Sequence, residues 1–577
     1  MATVFKYMKP YSPMFLCAVL LLAAEAYFAL ILPGFMADIV NDGVLTGHIP
    51  VIWRNGAIML GITILGTVLA ISSGYFASRI TAGVASDLRE SIFNKVLRFS
   101  NAEINKFSTS SLMTRSTNDI VQVQNNLMMA IRLFIYAPLL GVGGVIRALE
   151  RNASLTWLVA ISTIVMVVSM GILFYVVLPK TTIWQDLLDR MNLVSRENLT
   201  GVLIIRAFNT QNFEKKRFGV ANKDLRETGI FIDQTFAFLT PVIMLVLNLT
   251  TALIVWVGAR EASAFRADIG DIFAFLQYGM LIIFAFIMVG IMLISLPRAV
   301  VSARRVQEVL HTEGSILFKE NPQRLSGCKG VVEFRNVDFR YPDAQEDDDN
   351  VLTGVNFTAK PGTTTAIIGS TGSGKTSLFK LILRFFDVSS GGIFLDGTDI
   401  RDLHKEDLHT QIGYVPQKAI LFKGTIRSNL MYADKNATEE RLVQAIKTAQ
   451  SDSFVTDYEA EVAQGGTNFS GGQRQRLSIA RALVKKAQIY LFDDSFSALD
   501  MKTDANLRKA LKETMNDKTI LIIAQRVSSI MDADQIVVLD KGTVVGTGTH
   551  SELIKTCKVY KEIAVSQLSE EEVENSV

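Results

Sequence analysis

Cysteine and charge are both scarce in this chain. Its three cysteines, Cys17, Cys328 and Cys557, are scattered over 577 residues, which excludes a disulfide framework and a cysteine-rich zinc cluster. Charged residues make up 20%, against about 25% in an ordinary soluble domain, and that deficit points to lipid. An excess of one sign is missing too. The 58 Lys+Arg and 56 Asp+Glu leave a formal charge of +2, without the basic footprint of a nucleic-acid binder, so no nucleic-acid partner is expected. No small-residue cleavage pattern follows the first apolar run, so the sequence predicts no cleaved signal peptide over Met1–Lys9.

What is present in excess is apolar. Hydrophobic residues reach 49% and the mean hydropathy is +0.29, with nearly all of the excess before residue 300. A helix crosses the hydrocarbon core with roughly 20 predominantly apolar residues. Asn55–Ser78, Asn152–Pro179, Gln234–Ala259 and Ile272–Pro297 carry no Asp, Glu, Lys or Arg; Pro10–Ala37 carries only Glu25 and Ile120–Ile146 only Arg132. Six membrane spans are predicted. Seventeen Lys and Arg fall on one side of them and five on the other, which predicts that both termini are cytoplasmic. Leu88, Ile92, Val96 and Phe99, and then Leu187, Met191 and Val194, recur at helical spacing, so the spans are expected to continue as helices beyond the bilayer.

The second half changes character. The short apolar runs TTTAIIG, QIYLFDD, TILIIA and QIVVLD alternate with helical stretches, the pattern of parallel strands covered on both faces. The division expected is a membrane domain over 1–310, a linker over 311–330, an α/β nucleotide-binding domain over 331–565 and a solvated acidic tail over 566–577.

The sharpest motif is Gly369-Ser370-Thr371-Gly372-Ser373-Gly374-Lys375-Thr376, with Ser377 next, set between a predicted strand and a predicted helix. It fits a phosphate loop: backbone N–H groups wrap phosphates, Lys375 reaches the terminal oxygens and Thr376 holds Mg²⁺. Asp493, ending a hydrophobic strand, is the second metal-site candidate. Between them runs Phe469-Ser470-Gly471-Gly472-Gln473, a second ready anion site at a helix N-terminus. One phosphate loop already cradles one ATP, so a second anion site implies a phosphate held by another copy.

At these residues the chain resembles the ATP-binding cassette (ABC) family, whose signature reads LSGGQ. The resemblance covers nearly the whole chain, because six spans followed by one cassette is the layout of an ABC exporter half-transporter: an α-helical membrane domain with long cytosolic extensions, fused to an α/β P-loop ATPase. It implies ATP and Mg²⁺ as cofactors, Tyr341 as the ring stacked on adenine, Gln417 as the residue sensing Mg²⁺, Ser497–Asp500 as the D-loop, and coupling helices within Phe107–Thr117 and about Leu203–Phe213. It also implies that the signature closes over ATP held by a second subunit.

Two departures from the family pattern stand out. Asp494 occupies the place of the glutamate that polarises the attacking water, and is about 1.5 Å shorter in reach. Gln525 replaces the switch histidine and cannot carry its positive charge. Gln464 replaces a frequent glutamate ahead of the signature. Asp494 and Gln525 both belong to the site on this chain's own phosphate loop, whereas the signature is nearly intact. That sorting resembles the non-catalytic half of a heterodimeric bacterial multidrug exporter. The expected function is export of amphipathic drugs or lipid-like molecules across the cell membrane, with hydrolysis carried mainly by a partner half-transporter. A homodimeric lipid or peptide exporter and an ATP-gated channel or regulator remain as alternatives. Within the membrane, Glu25 is a candidate for facing a cavity that attracts cationic amphiphiles, for pairing with Arg132 or for hydrogen-bonding to a neighbouring helix. Asp38 and Asp42 read as a hydrated helix end near the outer mouth.

Overall fold

A computed structural model describes residues 2–264, 268–317, 319, 321–325, 327–344 and 349–568; the acidic run 570–574 of the tail lies outside the described residues. Contacts divide the chain into two units, Met1–Val96 with Ser110–His311 and Leu97–Thr109 with Thr312–Val577.

In the first unit the apolar runs form Ser12–Asp38, Ile49–Val96, Asn118–Arg151, Ala153–Thr200, Leu239–Ser263 and Ile269–His311. Among the described residues there are six helices long and apolar enough to cross a membrane, as expected. Pro179 and Pro297 lie inside their helices rather than ending them, as membrane helices tolerate. A helix of 48 residues runs about 72 Å, well beyond a hydrocarbon core of about 30 Å. The continuation read from Leu88 and Ile92 is real, since both are fully buried in the extension of Ile49–Val96.

Packing between the spans depends on missing side chains. A Cβ at Gly143 would lie 2.3 Å from Leu30 Cδ1, and one at Gly144 would lie 2.8 Å from Ile282 Cγ1. The first, third and sixth spans therefore approach closely there, and a larger residue would have to displace the Leu30 or Ile282 side chain. At one end Asp119, buried, accepts a 2.9 Å hydrogen bond from Ser302 and pairs with Arg305 at 3.5 Å. At the other, Arg151 forms an ion pair with Asp38 and donates to the Gly34 carbonyl at 2.8 Å. Asp38 is thus not a merely hydrated helix end, and the chain continues past it as a π-helix over Ile39–Val44.

The second unit holds a six-stranded sheet in the order Thr543–Gly548, Gln535–Asp540, Thr364–Gly369, Thr519–Ile523, Ile489–Asp493, Ile412–Val415. Neighbours are parallel except the first pair. Ile368, Phe492, Ile522 and Val538 enter one apolar cluster, while Ile367, Leu491, Leu521 and Val537 enter another. Successive residues thus bury opposite faces, which is why these strands read as continuous apolar runs. A four-stranded sheet built around Val332–Phe339 and Leu352–Ala359, antiparallel throughout, lies beside it.

The segment 97–109, inside the 1–310 region of the sequence reading, groups with this second unit. Its helix is Asn101–Phe107, opened by a capping box in which Ser100 accepts from the backbone and Glu103 reaches back. Glu103 Oε1 also accepts the Ser315 N–H at 2.9 Å, and Ser100 Oγ lies 2.8 Å from Ser315 Oγ. Burial works to raise the Glu103 pKa, but the hydrogen bonds from Ser100 and Ser315 outweigh it and hold the carboxyl below its usual range. The short helix packed in the cassette unit therefore precedes Phe107–Thr117 and shares only Phe107 with it.

Candidate nucleotide site

Open α/β sheets bind ligands outside the carboxyl ends of their strands, and the predicted residues gather there. Four adjacent strands end at Gly369, Val415, Asp493 and Ile523. The phosphate loop, Gln417, Asp493 with Asp494, and Gln525 follow those ends directly.

The loop turns on glycine conformations. Gly372 and Gly374 take φ of 84° and 95°, in the left-handed region that glycine adopts without penalty. Gly374 caps the helix Lys375–Ile382, so the positive end of that helix faces the loop. Lys375 Nζ folds back, donating to the Gly369 and Ser370 carbonyls at 2.8 and 2.7 Å. Burial pulls its ammonium pKa below the usual lysine range.

Thr376 Oγ1 donates to Asp493 Oδ1 at 3.1 Å. This hydroxyl and carboxylate form a hard-oxygen pair suited to Mg²⁺, which takes one or two carboxylates and completes its shell with phosphates and water. Among the described residues no group of three or more His, Cys, Asp or Glu is placed to hold a metal.

Gln417 and Gln525 do not join that pair. Both amides point at Asp494, whose Oδ2 accepts from Gln525 Nε2 at 2.8 Å and from Gln417 Nε2 at 3.3 Å. One oxygen therefore takes two donors, and the carboxylate is held by neutral amides. Asp494 has a φ of 47°, a left-handed conformation that aspartate tolerates better than most residues. Burial pushes the carboxyl pKa values of Asp493 and Asp494 above the usual aspartate range.

Tyr341 lies edge-on to Phe339 and Phe386, its hydroxyl 2.8 Å from Ser377 Oγ, with Lys380 Nζ 5.4 Å from its ring centre. Ser377 is buried, so its hydroxyl serves this contact.

The signature is built locally. Ser470 is the N-cap of Gly471–Val484: its Oγ accepts the Gln473 N–H at 3.2 Å, and Gln473 Oε1 accepts the Ser470 N–H at 2.9 Å. The serine hydroxyl acts as acceptor in the cap, so its own proton stays available to donate. A Cβ at Gly471 would meet nothing within 4 Å, whereas one at Gly472 would lie 3.2 Å from the Ala498 carbonyl of the D-loop segment. Phe469, the departure from leucine, packs against Phe454 with ring centres 6.4 Å apart. Asp500 caps Met501–Thr514 through the Thr503 N–H.

Sequence reading missed Ser100, Glu103 and Ser315. The S-x-x-E spacing at Ser100 and Glu103 is a capping-box signature that would have located the helix.

Comparison with known proteins agrees with this architecture. Two family profiles match, ABC transporter over residues 352–497 and ABC transporter transmembrane region over 14–286. The chain is 40% identical over 568 residues to an ABC transporter ATP-binding protein of Mycobacterium tuberculosis, covering 97% of each. It is 37% identical to the ABC transporter ATP-binding protein YfiB of Bacillus subtilis, covering 98% of each. Over 515 residues it is 30% identical to an ATP-dependent lipid A-core flippase of Syntrophus aciditrophicus, covering 88% of this chain and 84% of that one. Among solved structures, a bacterial Atm1-family ABC exporter with ATP bound superposes with a TM-score of 0.77 at 22% identity, over 97% of this chain and 99% of that one. The chain belongs to the ABC transporter family, as a half-transporter of exporter fold in which a six-helix transmembrane domain is fused to one ABC ATPase.

Proposed function

We propose that this chain is one subunit of an ATP-driven exporter that moves amphipathic drugs or lipid-like molecules out of the cytoplasm. It binds Mg²⁺–ATP on Gly369–Ser377, with Thr376 and Asp493 at the metal, Gln417 beside it and Tyr341 offering its ring to adenine. Its own site turns over slowly. Ser470, Gly471, Gly472 and Gln473 complete the working site of a second, different half-transporter. Both termini lie in the cytoplasm, by the excess of basic residues on that side.

The observation that carries this reading is the Asp494 carboxylate held by Gln417 and Gln525. A general base needs a free lone pair aimed at water and accurate placement. Asp494 is shorter than glutamate, one of its oxygens takes two amide donors, and Gln525 brings no charge to a γ-phosphate. The signature cap, in contrast, is complete. A partner is further supported by Leu199, Leu203, Ile204 and Phe208, all more than 60% exposed around the short helix Val202–Ala207, an apolar cluster suited to a protein interface. The relationship to a lipid A-core flippase supports an amphiphilic substrate.

ATP turnover by the assembled complex tests the division of labour. Asp494→Ala should leave it within about a factor of two, whereas losing a working general base costs about 10²-fold or more. A collapse in turnover would assign hydrolysis to this half, as would brisk turnover by the isolated chain.

A further inference from the structure

A cavity of about 330 Å³ lies in the cassette unit, between the helix Met501–Thr514 and the strands Thr364–Gly369 and Thr519–Ile523. Thr364 and Ile520, which line it, stand at the amino ends of their strands, whereas the candidate nucleotide site gathers at the carboxyl ends. No residue of the phosphate loop or of the signature lines it. Its volume falls at the lower end of the range for small-molecule sites. It holds about ten non-hydrogen atoms, at roughly 30 Å³ for each water-sized group.

The lining follows from the helix sequence. Ala505, Arg508, Lys509 and Lys512 recur at spacings of three and four and so share one helix face, and that face borders the cavity. Opposite them, Ile520 and Ile522 from the strand and Leu511 from the helix are buried and form an apolar floor. The three cations at the rim are not equivalent. Arg508 is already engaged: its Nε donates to Asp504 Oδ1 at 3.1 Å, and its Nη1 lies 3.8 Å from Asp532 Oδ2. Asp504, buried, also accepts from Ser529 Oγ at 3.0 Å. Lys509 and Lys512 are exposed and, among the described residues, make no hydrogen bond and no ion pair. Asp532 is the one carboxylate that lines the cavity, and it faces Arg508. An entering molecule therefore meets two free ammonium groups above an apolar floor.

We infer that this cavity is a second ligand site of the cassette and takes a single-tailed anion. An alkyl chain of about eight carbons, the length the volume allows, lies on Ile520, Ile522 and Leu511. Its terminal carboxylate or phosphate monoester is held by Lys509 and Lys512, whose ammonium groups act as point charges and suit either head group. A neutral alkyl chain leaves the lysines unanswered, and an inorganic anion leaves the floor wet. The site stands on the cassette fold alone and is independent of the export reading.

The test irradiates the full chain in nanodiscs with an octanoate carrying a terminal diazirine, and maps the labelled residues by mass spectrometry. Label should fall within residues 505–512, 520–522 and 529–533. Octanoate and octyl phosphate should compete at about tenfold lower concentration than octanol or octylammonium, the scale of one hydrogen bond to a charged group. The stronger of the two anions names the head group. Lys509→Gln with Lys512→Gln should erase that advantage, and Lys509→Arg with Lys512→Arg should keep most of it. Both lysines are exposed, so these changes leave the fold intact, and the competition series needs no variant. The inference is overturned if octanol competes as well as octanoate, which would make the cavity a simple apolar gap. It is equally overturned if sulfate competes as well as octanoate, if the double glutamine variant keeps the preference for anions, or if no label reaches these residues.

Discussion

The cassette presents two candidate phosphate-binding surfaces built on different principles. The surface around Lys375 is assembled from the ends of four strands, and its chemistry depends on side chains far apart in sequence: Thr376 on Asp493, and Gln417 and Gln525 on Asp494. The surface around Ser470 is a single helix start that satisfies its own backbone within four residues. A local cap survives changes elsewhere in the chain, whereas a convergent site loses its function when one contributor changes length or charge. On the function proposed here, the contrast would explain how one surface stays whole while the other becomes a holding site.

The largest way to break the comparison is to damage the surface we hold to be active. Ser470→Ala should lower turnover of the assembled complex about 10²-fold, the scale of losing one positioned donor to developing charge. Phosphate release would show this, and Ser470→Thr, which keeps a capping hydroxyl, should recover part of the loss. A turnover unchanged by Ser470→Ala would remove the signature from the mechanism.

Repairing the other surface should sharpen the comparison. Asp494→Glu combined with Gln525→His restores reach and charge together, and should raise ATP turnover by the isolated chain about tenfold or more, within the range attributed to general-base catalysis. Single-turnover hydrolysis by the variant checks it, and no gain would place the defect elsewhere in the site.

The smallest effect is one of stability. Burial raises the Asp494 carboxyl pKa in the folded cassette, so the folded state binds its proton more readily than the unfolded chain. The resulting stabilisation is complete below the ordinary aspartate value and is lost as pH rises through the raised one. At neutral pH the nucleotide-free chain carries the cost of a buried charge. Asp494→Asn should therefore raise the midpoint of thermal unfolding by about 2 °C. The gain should shrink as the pH is lowered through the raised value, and calorimetry across that range would read both.

Much of the fold was legible because its signals are local. The runs TTTAIIG, QIYLFDD, TILIIA and QIVVLD became strands within a residue or two of their ends, since two-sided burial demands uninterrupted apolar sequence. The spans were legible for the same reason. Where the reading drifted, geometry overrode composition. The helix Asn101–Phe107 is marked in the sequence by a cap rather than by hydrophobicity. The residues singled out from the sequence gather at the strand ends, but their pairings were not legible. Nothing in the sequence places Gln417 and Gln525 on the same oxygen of Asp494, because the three arrive on separate strands.

The helix Ile49–Val96 has a mechanical consequence. Its one proline, Pro50, sits in the first turn, so the rest acts as a stiff rod, with about 27 Å of its length past Ser78 and beyond the hydrocarbon core on that side. A tilt of about 5° at the membrane boundary would sweep its far tip through roughly 2.4 Å at the helical rise of 1.5 Å per residue. Stiffness of this kind converts a small angular change into a displacement of atomic size without any residue along the shaft changing conformation.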